Sequence, residues 1–554
     1  MEVPVSGVNF TRQDIEKKSF LIVDDFADMR NMLKGMLQLI GVAEIDSAAN
    51  GKDAVSAMEQ RRYDIVLCDY NLGPAKNGQQ VLEEARHRDL IGLGSIFVMI
   101  TAENTRDMVM GAVEYEPDSY LTKPFTKDLL KARLDKLIAR KKDLEDVDRA
   151  VRQRSLVEAI RLLDAKISEG SKNLSELQRL KAELCYRVGE YQQAEAIYQQ
   201  VLSVREMPWA RLGLGKVLFS SKRYPEARLL FEALLQENER LTAAYDWLAR
   251  TLRMLEQSQE AQKILQRAVE LSPKAILRQK ALADLALENQ DDETAERALD
   301  QAVRLGRHSV YRHPSLHARL AKTKSRNGSN SAGLKVLKNM RQEFGADQEA
   351  ELYCCMAEGV IQQDLGNAAA AAASLEKAAL LYQKLDLHAN PEATLEMAQT
   401  CGQMGDPQRA EELIRELVRN NHSEEQFLRQ VGGVMRGLGL QADPENFIAE
   451  IKREIVHLNN RGVELAREGK LKEAVGLFEE AVEGMPGNRV VNLNTARVLI
   501  IFMQRHGVEP ARLGKARQYL ERVRLMEPEN PALRKVDEMY RELASQSAEA
   551  SGSA

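Results

Sequence analysis

Long apolar runs are missing from this 554-residue chain. None reaches the roughly 18 residues that a bilayer-spanning helix needs. The opening residues, MEVPVSGVNFTRQDIEKK, lack the cationic start and apolar centre of a secretory leader. Together these absences set the expectation of a cytoplasmic protein with no membrane partner. Cysteine is also scarce: Cys68, Cys185, Cys354, Cys355 and Cys401 form no CxxC pair and no Cys/His cluster. That argues against a disulfide frame and a zinc site and reads as small buried thiols in a reducing compartment. The eight histidines show no metal-ligand spacing and no catalytic pairing with Cys or Ser. Aromatics are only 5% of the chain, too few for an aromatic-rich β-sandwich. Neither sign of charge dominates, with 78 Lys+Arg against 83 Asp+Glu and a net charge of −5, so nucleic acid is disfavoured as a partner.

What is present is length and helix-leaning polarity. At roughly 100–200 residues per domain the chain holds three to five units or one long repeat array. From Ser19 to about Arg140, short β-branched apolar runs alternate with segments of helical spacing, the sequence form of a parallel α/β sheet. Strands are expected at 20–24, 42–46, 64–68, 96–100 and 119–122. Helices are expected at Ala27–Leu39, Gly51–Gln60, Gln79–His87, Asn104–Val113 and Lys127–Ala139. Five such units predict a doubly wound parallel sheet, whose ligands sit beyond the carboxyl ends of the strands; the flavodoxin-like order 2-1-3-4-5 makes strands one and three neighbours.

After Arg140 the strand signal ends, and ARKKDLEDVDRAVRQRS reads as an extended linker helix over 141–165. Beyond it, small residues recur twelve positions apart: Ala182/Ala194, Gly215/Ala227, Ala249/Ala261, Ala283/Ala295, Gly359/Ala371, Ala398/Ala410 and Gly462/Ala474. Successive pairs from Gly215 to Ala283 step by 34 residues. Small side chains at paired positions let two helices approach closely, and large apolar residues four later, such as Phe231, Leu265 and Phe478, fill the seam. Tyr245, Leu248, Ala249, Ala261, Ala268 and Pro273, in that order, resemble the tetratricopeptide repeat. The resemblance runs over 166–531, about nine units, and implies an all-α solenoid with a concave protein- or peptide-binding groove. Ser315–Phe344 is its most degenerate stretch, Asn420–Ile455 does not scan as a repeat, and the final residues after 531 read as one helix and a structureless tail.

The first region ends its strands in polar chemistry: Asp24-Asp25, Asp69, Thr101-Ala102-Glu103, and Tyr120-Leu121-Thr122-Lys123-Pro124. Alone, Asp24 and Asp25 would be read as caps for the helix at Ala27. With strands one and three adjacent, however, they converge with Asp69, and three crowded carboxylates call for a cation. Mg²⁺ suits such oxygen donors and also meets phosphoryl oxygens. These residues, in this order, resemble the receiver domain of two-component response regulators, over residues 19–140 after an N-terminal extension of 1–18.

That resemblance implies that Asp69 accepts a phosphoryl group from a sensor histidine kinase or phosphotransfer protein. Asp24, Asp25, Asp69 and the backbone carbonyl of Asn71 would hold Mg²⁺. Lys123 and Thr101 would contact the phosphoryl group, with Tyr120 turning inward after Thr101 moves. The Lys123–Pro124 bond is expected to be cis, and Asn71 and Glu103 stand where the phosphoryl lifetime is tuned. One departure is the interval from Asp69 to Gly78, nine residues and one longer than usual, which puts the geometry of the Gly73–Lys76 loop in question. The first 150 residues carry 21 Lys+Arg against 26 Asp+Glu and the remainder 57 against 57. The expectation is therefore a phosphorylation-gated protein adaptor that is not an enzyme beyond its own phosphoryl chemistry. A nucleic-acid or transcription regulator acting through local basic patches, and a phosphoryl sink for a kinase, are the alternatives.

Overall fold

The computed structural model describes residues 13–102, 117–142, 144–170, 173–385, 387, 390–440, 442–527 and 530–552. It divides into two units, Met1–His313 and Pro314–Ala554. Glu103 and the helix expected over Asn104–Val113 lie outside the described residues.

In the first unit, β1 (Ser19–Val23), β2 (Glu44–Ala48), β3 (Ile65–Asp69), β4 (Ile96–Thr101) and β5 (Ser119–Thr122) form one parallel sheet in the order β2-β1-β3-β4-β5. Every residue of β1, β3 and β4 is buried, which is why their sequences are unbroken apolar runs rather than alternating ones. Around the sheet stand α1 (Ala27–Ile40), α2 (Gly51–Gln60), α3 (Gly78–His87) and α4 (Lys127–Lys142). Leu33, Leu37, Leu130 and Leu134 of α1 and α4 cover one face, packing on Phe20, Ile22, Ile65 and Leu67. Val55, Met58, Val81 and Leu82 of α2 and α3 cover the other, on Leu21, Val23, Val66 and Cys68. The second strand begins at Glu44, two residues later than its apolar start suggested. Val42 instead closes α1: Gly41 adopts φ 105°, and Val42 N donates to Leu37 O at 3.1 Å. Its side chain joins Leu37 in the core, the apolar contact that completes such a helix end.

The linker is not one extended helix. α4 runs on to Lys142, and α5 (Glu145–Arg152) and α6 (Leu156–Ser168) follow, separated by Arg154 at φ 56°. Val147, Ala150, Leu156, Ala159 and Leu163 are buried in one core with α7 (Leu174–Arg187) and α8 (Tyr191–Val204), so the segment begins the helical array. An apolar face, absent from a solvated spacer, drives that packing. Asp148 of α5 accepts from Leu93 N at 2.7 Å, and Lys141 donates to Leu93 O at 2.7 Å, tying the segment to the loop before β4.

The array continues as helix pairs: α9 (Pro208–Ser220) with α10 (Tyr224–Glu237), α11 (Thr242–Met254) with α12 (Ser258–Leu271), and α13 (Ile276–Glu288) with α14 (Asp292–Gly306). The twelve-residue spacing has a direct steric reading. A β-carbon on Gly215 would lie 2.4 Å from Phe231 Cε1, and one on Gly462 in the second unit 2.5 Å from Phe478 Cε2 and Cζ. The ring takes the volume that a side chain on the facing helix would need.

The second unit holds α15 (Pro314–Arg326), α16 (Asn330–Phe344), α17 (Gln348–Asp364), α18 (Ala368–Lys384), α19 (Pro391–Gln403), α20 (Pro407–Asn420), α21 (Glu425–Gly437), α22 (Pro444–Arg467), α23 (Leu471–Gly484), α24 (Arg489–His506), α25 (Pro510–Met526) and α26 (Pro531–Gly552). Two expectations change here. The stretch read as degenerate is a regular pair, α15 and α16, in which Ala321 and Gly333 are twelve apart; a β-carbon on Gly333 would lie 2.7 Å from Ala321 O, and Leu337, four later, is buried. The tail read as structureless is helical through Gly552, although Ser545, Ser547, Ser551 and Gly552 are not strong helix formers. Asn420–Ile455 contributes α21 and the first half of the 24-residue α22, whose second half carries Gly462.

A charge cluster clips α16, α17 and α18 together. Arg341 donates to Glu351 at 2.9 Å and Glu358 at 2.7 Å, and Lys377 to Glu351 at 2.5 Å. Burial opposes ionisation of Glu351, but the bonds from Arg341 and Lys377 outweigh it and hold its carboxyl down at about 2. A depressed carboxyl adds stability above its ordinary value of 4.5 and loses it as pH falls towards about 2. Glu351→Gln is therefore expected to flatten the acid side of the stability–pH curve in denaturant titrations. A separate test of the seam is Gly462→Val, expected to lower stability by about 1–3 kcal/mol in thermal unfolding. Gly476→Ala, with nothing within 4 Å of its new carbon, is expected to raise it by about 0.5–1 kcal/mol.

Candidate functional site

Three neighbouring strands of the first unit end at one place. Asp24 follows β1 and is 1% exposed, Asp69 closes β3 at 6%, and Thr101 closes β4 at 4%. Asp25 is exposed beside Asp24. Asp24, Asp25 and Asp69 each bring one carboxylate oxygen within 4.8 Å of the others. Lys123, just past β5, donates to Asp24 Oδ2 at 2.9 Å and Asp69 Oδ2 at 3.1 Å. Its own amide donates to Thr101 O at 2.7 Å, and the Lys123–Pro124 bond is cis.

The electrostatics follow from burial and this one cation. Desolvation pushes the Asp69 carboxyl above its ordinary range against the pull of Lys123, and the charge of Asp24 adds to the upward push. For Lys123, desolvation acts downward but the bonds to Asp24 and Asp69 prevail, so its ammonium is held above the usual lysine value. Phe26 N donates to the other Asp24 oxygen at 2.9 Å, fixing that carboxylate. Arg30 reaches back to Asp24 O at 2.7 Å and Asp25 O at 3.1 Å, fixing the backbone of the acid pair. Sequence reasoning passed over Arg30, although its position one turn into α1 is the available signal.

The lengthened loop is accommodated by glycine. Gly73 has φ 83°, and a β-carbon on it would stand 3.9 Å from Asp25 Oδ2, so the loop skirts the acid cluster. Asn71 is exposed at the start of this loop. Lys76 forms an ion pair with Glu84. Asn77 caps α3 through a reciprocal capping box with Gln80. Gly78 N donates to Tyr70 O at 2.9 Å, and a β-carbon there would lie only 2.2 Å from Asp69 O. Tyr120, half-buried, packs with Tyr70 and Met99 on the α2/α3 face of the sheet. The structure thus assembles Asp24, Asp25, Asp69, Thr101 and Lys123 in one crevice, with Tyr120 on that flank.

The family profile described as the response regulator receiver domain matches residues 20–135, and tetratricopeptide repeat profiles match residues 186–251 and 242–274. The chain is 33% identical over 126 residues to chemotaxis protein CheY-3 of Vibrio cholerae, spanning 22% of this chain and 91% of that protein. It is 31% identical over 120 residues to chemotaxis protein CheY of Pseudomonas aeruginosa, 22% of this chain and 95% of that one. Among solved structures, the response regulator TrrA of Thermotoga maritima matches at 32% identity, covering 22% of this chain and 98% of its own, with a TM-score of 0.20. The chain belongs to the response-regulator receiver family and joins a receiver domain to tetratricopeptide repeats. No helix among the described residues is long and apolar enough to cross a membrane.

Because a methyl at residue 78 would strike the carbonyl of Asp69, Gly78→Ala is expected to lower stability by about 1–3 kcal/mol despite the better helix propensity of alanine. Denaturant unfolding checks this; an unchanged or raised midpoint would contradict the close approach.

Proposed function

We propose that the chain is a response regulator of a two-component phosphorelay, in which Asp69 accepts a phosphoryl group and its state gates protein binding by the repeat array. The observation that carries the reading is the Lys123 ammonium shared between the buried carboxylates of Asp24 and Asp69, beside the exposed carboxylate of Asp25. An Asp69 oxygen attacks the phosphorus of a phosphohistidine on a sensor kinase or phosphotransfer protein. The new bond is P–O, the P–N bond breaks, and its electron pair leaves on the imidazole nitrogen. Lys123 stays within reach of the added negative charge, and the Thr101 hydroxyl is the donor for a phosphoryl oxygen.

The three carboxylates form a hard-oxygen donor set of the kind that suits Mg²⁺. Asp24, Asp25, Asp69 and the Asn71 carbonyl would hold the ion, which when bound offsets charge on the phosphoryl oxygens. Tyr120 is the side chain that responds to movement of Thr101, and Asn71 and Glu103 tune how long the group persists. The repeats supply a groove for a protein or peptide, in line with an array that has no excess of either charge.

Asp69→Asn is expected to abolish Mg²⁺-dependent labelling by a small acyl phosphate, read by intact mass; label persisting on the mutant would overturn the assignment of the nucleophile. Lys123→Ala is expected to fold and yet uncouple phosphorylation from the change in partner binding. Capture from lysate of a protein partner that follows the beryllofluoride–Mg²⁺ state and survives raised salt supports the adaptor reading. Salt-labile nucleic acid, or a kinase captured in both states, would replace it with a nucleic-acid regulator or a phosphoryl sink.

A further inference from the structure

The connection that ends the first unit departs furthest from the repeat period. The links before α11 and α13 are four residues each, 238–241 and 272–275, whereas the link after α14 is seven, 307–313. The step from Ala283 to Ala321 is 38 residues instead of 34, three of the extra residues lying in this link and one in α14, which has 15 residues against 14 in α12. The longer link is folded, not slack. Ser309 N donates to Gly306 O at 3.0 Å, Arg312 N to Ser309 O at 3.2 Å, and Tyr311 N to Ser309 Oγ at 3.1 Å.

This turn meets the receiver. Gln80, Glu83 and His87 lie three and four apart on α3 and therefore share one face of it. Gln80 Nε2 donates to Leu305 O at 3.4 Å. Ser309 Oγ donates to Glu83 Oε2 at 2.7 Å. The His87 and Tyr311 rings stand edge to face, 5.4 Å between centroids at 73°. Glu83 is 6% exposed and Ser309 7%, so a carboxylate is sealed from water at the centre of the contact. A buried charged acceptor tolerates little displacement, because each donor lost leaves part of its desolvation uncompensated.

The same helix is coupled to Asp69. Gly78, its first residue, bonds Tyr70 O and stands against Asp69 O with no room for a methyl group. A backbone shift at residues 69–71 must therefore move the start of α3, and with it Glu83. An aspartyl phosphate carries about −1.5 to −2 charge beside that backbone in place of the single charge of the carboxylate, in a crevice already crowded with carboxylates.

From this geometry we infer that the Gln80–Glu83–His87 face of α3 is the receiver's interaction surface for its own repeat array, that its partner is the Leu305–Tyr311 segment, and that modification of Asp69 opens this clasp. The inference rests on the phosphoryl-acceptor reading of Asp69 and names the intramolecular contact through which the array is gated. In the unmodified chain the segment is covered; in the modified chain both surfaces are free for a partner.

Hydrogen–deuterium exchange on the full chain tests it, with and without beryllofluoride and Mg²⁺, on the wild type and on Asp69→Asn, Ser309→Asp and His87→Ala. Loss of a bond to a buried charged group corresponds to a change of about tenfold or more. The expected result is that amides of 80–87 and 305–311 exchange about tenfold faster together in beryllofluoride-treated wild type. Asp69→Asn should show no such change. Ser309→Asp should open both segments without treatment, and His87→Ala should do so to a smaller extent. Treatment that protects residues 69–71 but leaves both segments unchanged overturns the inference and spares the acceptor reading. Absence of protection at 69–71 overturns the acceptor reading and the gating with it. If Ser309→Asp and His87→Ala both leave the two segments as protected as in wild type, the clasp itself is overturned.

Discussion

Charge neutralisation by one ammonium group organises the receiver. Asp24 and Asp69 sit at the ends of adjacent parallel strands, almost without solvent, where carboxylates repel and neither is well hydrated. Lys123 bonds to both through its side chain and is itself bonded through its backbone amide to β4, so three strand ends are tied through one residue. The crevice is consequently a place of concentrated and incompletely balanced charge, since Asp25 stands next to it outside this bridge. Such a site is stable as it is and sensitive to any further charge.

Coupling out of the crevice runs through backbone. The loop after Asp69 has a glycine where it turns past Asp25 and another where it abuts the Asp69 carbonyl. Between them, an ion pair and a capping box hold the loop to α3. Little of this segment can move alone, which makes α3 a lever anchored at Asp69. A packed element with two discrete positions transmits a small shift better than a flexible one.

The array follows a different constraint, close approach between helices. Gly215 faces Phe231 and Gly462 faces Phe478 at distances that leave no volume for another carbon. Because small residue and filling ring are sixteen positions apart on paired helices, the repeat was legible from spacing alone. Ala321/Gly333 obeys the same rule but escaped notice, since the link of seven residues before it moved it off the 34-residue step. The linker was misread for a related reason: charge in ARKKDLEDVDRAVRQRS hid the apolar face that Leu144, Val147 and Ala150 present to the array.

The strand order, the converging acids and the helix pairs were determined by the sequence itself. Local patterns of burial, polar strand ends and small-residue spacing each reflect contacts that recur at fixed separations. Tertiary structure alone decided how Gln80, Glu83 and His87 meet a turn more than 200 residues away. Nothing in a glutamate on a helix or a serine in a link announces its partner; that contact exists only because the folded linker, the repeat count and one lengthened connection together carry the turn back to α3.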